Sequence, residues 1–284
     1  MFVVIGATGN VGREVVALLR RTGEEVAAVS RDPAAVLPDG VRLVQGDPSE
    51  PDGITAWPDD IEAVLLSPRA AGGAAAELLA LAAARGARRV VSLSAATVEY
   101  PAGDRRFADE FRAVERDVRE SGLPWTLLRC ADFAANSLAW APQIRATGVV
   151  RGAYGGAATS PIHHRDIAEV AVRALTEPDH AGHAYLLTGP RRLDQRDKVR
   201  LIGEALGRDL AFEEITPEEV RRAMLGQGLP EDVPDRYLGS LADYAKAPGP
   251  TTDTVRQLLG RPALTFAAWA AENTAAFMPP ADQP

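Results

Sequence analysis

The chain has 284 residues, of which 46% are hydrophobic, and its formal net charge is −8 at pH 7. This length allows a large core, whereas no apolar stretch approaches the length that a bilayer crossing needs, so we expect no membrane partner. The acidic balance argues against a nucleic-acid partner, which requires a basic face. The single cysteine, Cys130, excludes an internal disulfide. Because a predicted strand begins directly after Met1, we expect no signal peptide and a cytoplasmic location.

The chain starts with a short apolar strand, a glycine-rich turn and an amphipathic helix, over residues 2–5, 6–12 and 11–21. This order is typical of a dinucleotide site, because glycines let backbone amides approach a pyrophosphate and the helix N-terminus adds partial positive charge. The alternative is a tight turn without a ligand. The predicted cofactor-binding residues of the turn are Gly6, Thr8, Gly9, Asn10, Val11 and Gly12.

Strand and helix signals then alternate at the spacing of βαβ units. The predicted strands are 2–5, 25–29, 41–44, 63–66, 89–93 and 125–128, and the predicted helices are 11–21, 33–37, 74–85 and 107–121. Near-continuous apolar strands fit a parallel sheet that is buried on both faces. The pattern therefore predicts an α/β fold with a doubly wound, Rossmann-like sheet.

After residue 129 the pattern becomes mainly helical. We predict helices over 132–144, 166–175, 194–206, 217–227, 232–245, 252–259 and 265–277, a glycine-rich loop over 148–158, strands over 184–187 and 210–215, and a disordered tail over 279–284. This division predicts a dinucleotide-binding Rossmann domain over 1–150, with strands returning up to about 190, and a mainly helical substrate-capping region over 151–284.

The end of the second predicted strand indicates which dinucleotide binds. An NAD-preferring site places an acid about 20 residues after the glycines, whereas this strand ends in Ser30 and Arg31. A guanidinium suits a 2′-phosphate, and Ser30 can donate to it as well. Asp32 is better explained as a helix N-cap, with Pro33 at the first helical position. The sequence thus predicts NADP(H) in preference to NAD(H), unless Arg31 is only a solvated surface residue.

Two further strand ends contribute predicted cofactor contacts. Asp47 follows the third strand, where its carboxylate can either accept from an adenine amino group or cap the next turn. Ser67 and Pro68 end the fourth strand, beside the expected position of the cofactor ribose. The alternative for Pro68 is that it only ends the strand.

Six motifs occur in order along the chain. They are Gly6-Ala-Thr-Gly-Asn-Val-Gly12, Ser30-Arg31-Asp32-Pro33, Ser121-Gly-Leu-Pro-Trp-Thr-Leu-Leu-Arg129 followed by Phe133-Ala-Ala-Asn136, Asp166-Ile-Ala168, Leu187-Thr-Gly-Pro190, and Gly260-Arg-Pro262 with Phe266. With this set the chain resembles the NmrA-like branch of the atypical short-chain dehydrogenases/reductases. The resemblance implies dinucleotide binding. It leaves catalysis open, because the branch includes both NADPH-dependent reductases and a co-regulator that does not turn the cofactor over.

Standard short-chain dehydrogenases use a tyrosine as proton donor and a lysine four residues later, which lowers the pKa of the tyrosine and holds the nicotinamide ribose. Here the equivalent positions are Phe111 and Glu115, and no lysine precedes Lys198. The dyad is therefore absent, and the proton donor is unknown. The catalytic candidates are Ser94, Glu115, Tyr154 and His163.

Each catalytic candidate has a structural alternative. Ser94 follows the fifth strand and can satisfy backbone there, and Glu115 can lie on a solvated helix face. His163 can relay a proton at neutral pH, or one of the adjacent His163 and His164 can simply pack. Two histidines without a third ligand at suitable spacing make a weak metal signal, so we predict no metal site.

The predicted substrate pocket offers aromatic faces to a flat acceptor. Its residues are Phe133, Asn136, Trp140 and Tyr154. Core packing is the alternative for the aromatic residues, whereas Asn136 is expected to be a buried amide that needs partners.

The leading hypothesis is an NADPH-dependent reductase that transfers hydride to a quinone, enone or iminium acceptor. Such acceptors are already electrophilic and need mainly orientation and exclusion of water. The alternative is a non-catalytic NADP(H) sensor. In either case we expect a small-molecule ligand and a monomer or homodimer.

Overall fold

The computed structural model describes residues 1–279, so the predicted disordered tail lies outside the described residues except for Pro279. The predicted doubly wound parallel sheet is confirmed. The described residues contain nine strands: β1 Phe2–Ile5, β2 Val26–Ser30, β3 Arg42–Gln45, β4 Ala63–Leu66, β5 Val90–Ala95, β6 Trp125–Cys130, β7 Val149–Gly152, β8 His183–Leu187 and β9 Ala211–Glu214. Seven of them form the sheet, in the order β3-β2-β1-β4-β5-β6-β8, and every neighbouring pair is parallel.

Twelve α-helices accompany the strands in the described residues. They are α1 Asn10–Arg21, α2 Pro68–Ala71, α3 Ala75–Ala84, α4 Arg105–Glu120, α5 Ala141–Thr147, α6 His164–Thr176, α7 Gln195–Leu206, α8 Pro217–Gly226, α9 Asp232–Lys246, α10 Thr254–Leu259, α11 Phe266–Glu272 and α12 Thr274–Phe277. None of the helices within residues 1–279 combines the length and apolar character that a bilayer crossing needs.

Helices cover both faces of the sheet, because successive apolar side chains of each strand point to opposite faces. In β1, Phe2 and Val4 pack with α1 and α6, whereas Val3 and Ile5 pack with α3 and α4. The strand order reverses between β1 and β4. In such sheets ligands bind in the crevice outside the carboxyl ends of the strands, beside the reversal. This edge is where the functional site is expected.

The C-terminal helices add a second core and a small second sheet. β7 pairs with β9 in parallel, and the fully buried Trp269 and Phe277 belong to an apolar cluster that includes Ile144 of α5 and Ile202 of α7. A smaller cluster joins α8 and α9 to the segment after β7.

Two predictions of local structure are wrong. Residues 33–37 form a turn at 33–34 followed by irregular chain instead of a helix, because Val36 is 97% exposed and only Leu37 packs against the sheet core. Asp32 accepts from the Ala34 amide within this turn (2.8 Å) and is therefore not a helix N-cap. The predicted loop 148–158 contains β7, because Val150 is fully buried and pairs with β9.

Two predicted helices are divided. Residues 132–144 contain a 3-10 helix, Ala134–Trp140, before α5 begins. Residues 265–277 form α11 and α12, which Asn273 separates.

Candidate functional site at the carboxyl edge of the sheet

The glycine turn after β1 brings the start of α1 into direct contact with the strand end. Gly6 has a φ of +87°, which favours glycine, and its carbonyl accepts from the Gly9 amide (3.1 Å). A Cβ on Gly12 would lie 2.2 Å from the Gly6 oxygen. The turn therefore needs glycine at both positions to hold α1 this close.

The exposed start of α1 fits a pyrophosphate. Its N-cap, Gly9, supplies no side-chain cap to the first helical turn, and Thr8, Gly9 and Asn10 are exposed. The first amides of a helix lack intrahelical acceptors and attract anions. Val11 is buried, so only its backbone amide is available. These observations are consistent with the predicted dinucleotide contacts.

Arg31 and Asp47 lie together beyond the ends of β2 and β3. Their charged atoms are 3.9 Å apart, and the Arg31 side chain is 74% exposed. Asp47 accepts from the amide (2.9 Å) and the hydroxyl (2.7 Å) of Ser49, and these bonds lower the pKa of Asp47. One Asp47 oxygen thus caps the following turn, while the other faces Arg31. Ser30 is buried and accepts from the Asp32 amide (3.1 Å).

Ser67 and Pro68 lie at the same edge. Pro68 is the first residue of α2, and Ser67 precedes that helix. A Cβ on Gly6 would meet the Ser67 Cβ at 2.7 Å, so Ser67 packs directly against the glycine turn.

The network around Glu115 joins β5, β6 and α4. The Glu115 carboxylate receives two hydrogen bonds from Arg129 (2.8 Å each), one from Ser94 (2.7 Å) and one from Arg119 (3.1 Å). Glu115 is 1% exposed and therefore does not lie on a solvated helix face. Burial alone would raise its pKa, but the bonds from Arg129 and Ser94 outweigh burial and lower it.

This network bears on two catalytic candidates. Ser94, at the end of β5, directs its hydroxyl to Glu115 on α4. Phe111 lies one helical turn before Glu115 and packs edge-on against Phe107, with ring centroids 5.0 Å apart. A carboxylate with a lowered pKa and this many donors remains ionised near neutral pH, so it is a poor proton donor.

His163 caps α6. Its Nδ1 accepts from the Arg165 amide (3.1 Å), and its Nε2 lies 3.3 Å from Glu272. Burial and the neighbouring His164 lower the pKa of His163 to about 4.

A polar depression of about 270 Å³ beside His164 lies between α1 and α6, and none of the predicted pocket residues lines it.

A polar cluster around Asp132 lies just beyond the end of β6. One Asp132 oxygen accepts from Lys198 of α7 (2.8 Å) and from the hydroxyl of Thr159 (2.8 Å). The other accepts from Asn136 (2.9 Å). Lys198 also donates to Thr159 (2.9 Å). Burial would raise the pKa of Asp132, but the charge of Lys198 and these hydrogen bonds lower it.

The charge of Asp132 affects the pKa of two tyrosines of α9. Burial of the phenol and the charge of Asp132 raise the pKa of Tyr237 to about 12, against an opposing polar contact with Trp140. The same two causes, with Asp243, raise the pKa of Tyr244 to about 12. Tyr237 as a whole residue is 38% exposed, so part of it reaches solvent.

The predicted pocket residues lie in different surroundings. Asn136 is exposed, which corrects the expectation of a buried amide, and its partner is Asp132. Phe133 packs on the sheet core, and Trp140 packs beside the C-terminal core. Tyr154 has a φ of +56°, an uncommon left-handed conformation for a side-chain-bearing residue, and packs beside Val220. Two of the four residues thus lie near Asp132: Asn136 donates to Asp132 itself, and Trp140 contacts Tyr237.

The sequence interpretation did not include Asp132 or Lys198 among the site residues. One signal for Asp132 is an acid directly after a buried parallel strand, as at Asp47. For Lys198 the signal is a lone lysine next to Val199 and four residues before Ile202, on the buried side of α7. The contact between them joins residues 66 positions apart, which local patterns do not reveal.

Comparisons with known proteins identify the family. A family model described as NAD(P)H-binding matches residues 6–178. The chain is 38% identical to the (4-alkanoyl-5-oxo-2,5-dihydrofuran-3-yl)methyl phosphate reductase of Streptomyces griseus subsp. griseus, across 98% of this chain and 100% of that protein. It is 35% identical to the NAD(P)H azoreductase of Xenophilus azovorans, across 98% and 99%.

The structure also matches that of an NADPH-dependent quinone oxidoreductase from Escherichia coli in complex with NADPH. The TM-score is 0.82 at 25% identity, with 96% of this chain and 99% of the other covered. The chain therefore belongs to the NAD(P)H-binding family, as an NmrA-like atypical short-chain dehydrogenase/reductase, and is an NAD(P)H-dependent oxidoreductase.

Proposed function

We propose that this oxidoreductase is an NADPH-preferring reductase of small, activated acceptors of the quinone, enone or iminium type. The observation that carries the proposal is the state of Glu115. Where standard members of the superfamily keep their lysine, this chain has a carboxylate that Arg129 and Ser94 hold ionised. Without a proton donor on α4, the acceptor itself must be electrophilic enough to accept hydride.

The residues at the carboxyl edge divide the work of binding. The amides at the start of α1 hold the pyrophosphate, and Arg31 binds the 2′-phosphate that distinguishes NADPH from NADH. When bound, the dinucleotide supplies a hydride from C4 of its nicotinamide. Trp140, one helical turn from Asn136 and in contact with Tyr237, presents an aromatic face that orients a flat acceptor and excludes water.

The acceptors of the relatives share one electronic feature. Azo groups, quinones and conjugated dihydrofuranones, named for three relatives, all carry a π-bond that accepts hydride without prior protonation. This common feature supports an activated acceptor for the present chain and favours a conjugated carbonyl.

Residues 151–284 act in this proposal as the region that caps the acceptor, above a Rossmann unit that covers residues 1–150 and includes strands up to about 190. The contacts of Lys198 and Thr159 with Asp132 support this role, because they bring C-terminal segments to the end of β6. A cytoplasmic location and a monomeric or homodimeric state remain predictions.

The test follows NADPH consumption with a panel of quinones, conjugated enones and imines, using NADPH deuterated at C4. We expect deuterium on the acceptor carbon of at least one product, and a higher kcat/KM with NADPH than with NADH. The contrary result is that NADPH binds, as its fluorescence shows, but no acceptor of the panel leads to its consumption. That result would contradict the proposal and favour a dinucleotide sensor.

A further inference from the structure

Lys198 is an ammonium group in an unusual place. It is one of two lysines in the chain, and it is 3% exposed. Burying a charge is costly unless the group is paired and hydrogen-bonded. Asp132 is its one ion-pair partner within residues 1–279, at 2.8 Å.

The hydrogen bonds of this pair leave one donor unused. An ammonium has three N–H donors, and Lys198 directs two of them to Asp132 and Thr159. The Thr159 hydroxyl proton is itself donated to Asp132. In the described part of the chain, the third N–H of Lys198 has no acceptor, so it is free to bind a ligand.

The position of the pair suits an acceptor. Asp132 is the second residue after β6, which lies three strands from β1 in the sheet. At the usual spacing between strands, this places Asp132 about 14 Å from the glycine turn that fits the pyrophosphate. The pair therefore lies along the carboxyl edge, well away from the 2′-phosphate end at Arg31.

The pair lies close to the protein surface. The Asp132 side chain is 24% exposed and Tyr237 is 38% exposed, so the cluster reaches solvent there. The titratable group that contacts Lys198 is Asp132, and the charge of Asp132 in turn acts on Tyr237 and Tyr244 of α9. On its other side, α7 packs against α11 and α12 through apolar residues, including Trp269 and Phe277.

We infer that Lys198 is the acid of this site, held by Asp132 and Thr159 so that its free N–H contacts the carbonyl oxygen of a conjugated acceptor. The inference rests on the proposed function. As hydride forms the new C–H bond at the β-carbon, the electron pair of the C=C bond moves toward the carbonyl oxygen. The oxygen takes a proton from Lys198, so that an N–H bond breaks and an O–H bond forms. The neutral amine then regains a proton from water, and the enol becomes the saturated ketone.

A purely structural role is the competing explanation, since the pair also fastens α7 to the end of β6. The two roles differ in what they require of the side chain. Fastening needs a hydrogen-bonding partner for Asp132, whereas acid catalysis needs a proton that can be transferred. Arginine keeps the charge but does not lose its proton.

The test compares Lys198→Gln and Lys198→Arg with Lys246→Gln, which changes the only other lysine, a 77% exposed side chain at the end of α9. We expect both Lys198 variants to lower kcat/KM for a conjugated enone by about 100-fold or more, while Kd for NADPH stays within twofold. A quinone should lose less, since its reduced oxygens are less basic. Lys246→Gln should match the wild type.

A second readout needs neither turnover nor cofactor. 4-Nitrophenol is a mimic of the enolate, and its absorbance reports its ionisation. An ammonium beside the bound phenol favours the anion, so we expect the pKa of bound 4-nitrophenol to fall below its free value in the wild type. The fall should be absent in Lys198→Gln.

Three outcomes would overturn the inference. In the first, Lys198→Gln keeps the wild-type kcat/KM for the enone. In the second, Lys198→Gln loses activity although the pKa of bound 4-nitrophenol still falls as in the wild type, which indicates that Lys198 only fastens α7 to the end of β6. If the wild type reduces no acceptor, the proposed function itself fails, and the inference fails with it. Should Lys198→Gln not fold, the paired variant Asp132→Asn/Lys198→Gln removes both charges together, and it should fold yet remain inactive.

Discussion

At the scale of a single residue, the proposed preference for NADPH depends on Arg31. The guanidinium is exposed and keeps a distance of 3.9 Å from Asp47, whose other oxygen is engaged by Ser49. A long ion pair between exposed groups contributes little stability. Arg31 is therefore available to an incoming phosphate at little cost to the fold.

We expect Arg31→Gln to weaken NADPH binding about tenfold, equivalent to about 1.4 kcal/mol, because an exposed charge-assisted bond is lost. Binding of NADH should change less than twofold, since it lacks the 2′-phosphate. Fluorescence titration with both dinucleotides checks this. Arg88→Gln is the matched control, an exposed arginine before β5 at the opposite edge of the sheet. Equal loss for both dinucleotides would contradict the assignment.

At the scale of elements, the spacing of hydrophobic residues predicted those helices and strands that bury a continuous apolar side. The helix α1 followed from Val11, Val15 and Leu19, which share one buried side. The predicted helix at 33–37 was wrong, because a single packed side chain, Leu37, does not stabilise so short a helix. The strand β7 was missed because its partner, β9, lies about 60 residues further along the chain.

The same limit applies to the candidate site. The glycine turn could be predicted because its residues are consecutive, and the structure is consistent with it at Gly6 and Gly12. The Asp132 cluster combines residues from the segment after β6 with residues from α7 and α9, and only the folded chain brings them together.

The contact between β1 and α1 gives a prediction at this scale. In Gly12→Ala, the added Cβ would lie 2.2 Å from the Gly6 oxygen, so α1 must move. We expect a loss of about 1–3 kcal/mol in the free energy of unfolding and at least tenfold weaker NADPH binding. Urea unfolding and fluorescence titration measure the two effects. Gly53→Ala, where a Cβ meets open space, should change neither, and similar behaviour of both variants would refute the close-packing argument.

For the molecule as a whole, the Glu115 network joins two central strands to a helix that covers the sheet. Its folded pKa lies below the ordinary value of 4.5. A depressed carboxyl pKa contributes stability that is fully present above the unfolded value and is lost as pH falls through the folded value. The network therefore makes the fold sensitive to acid below about pH 4.5.

We expect Glu115→Gln to lower the free energy of unfolding by about 1.5–3 kcal/mol at pH 7, since Arg129 loses its buried partner and keeps only the half-exposed Glu99. The difference from the wild type should shrink as the pH falls from 5 toward 3. Urea unfolding across this range measures it. Glu120→Gln, on the exposed end of the same helix, is the control. A difference that does not change with pH would show that Glu115 titrates alike in the folded and unfolded chain.

The single thiol of the chain has a consequence for chemical durability. Cys130 ends β6 and is buried, and burial raises its pKa well above the usual range. Quinones and enones alkylate thiolates, and a buried thiol with a raised pKa presents almost none at neutral pH. Under the proposed function, the burial of Cys130 therefore protects the protein from alkylation at cysteine by the acceptors that it reduces.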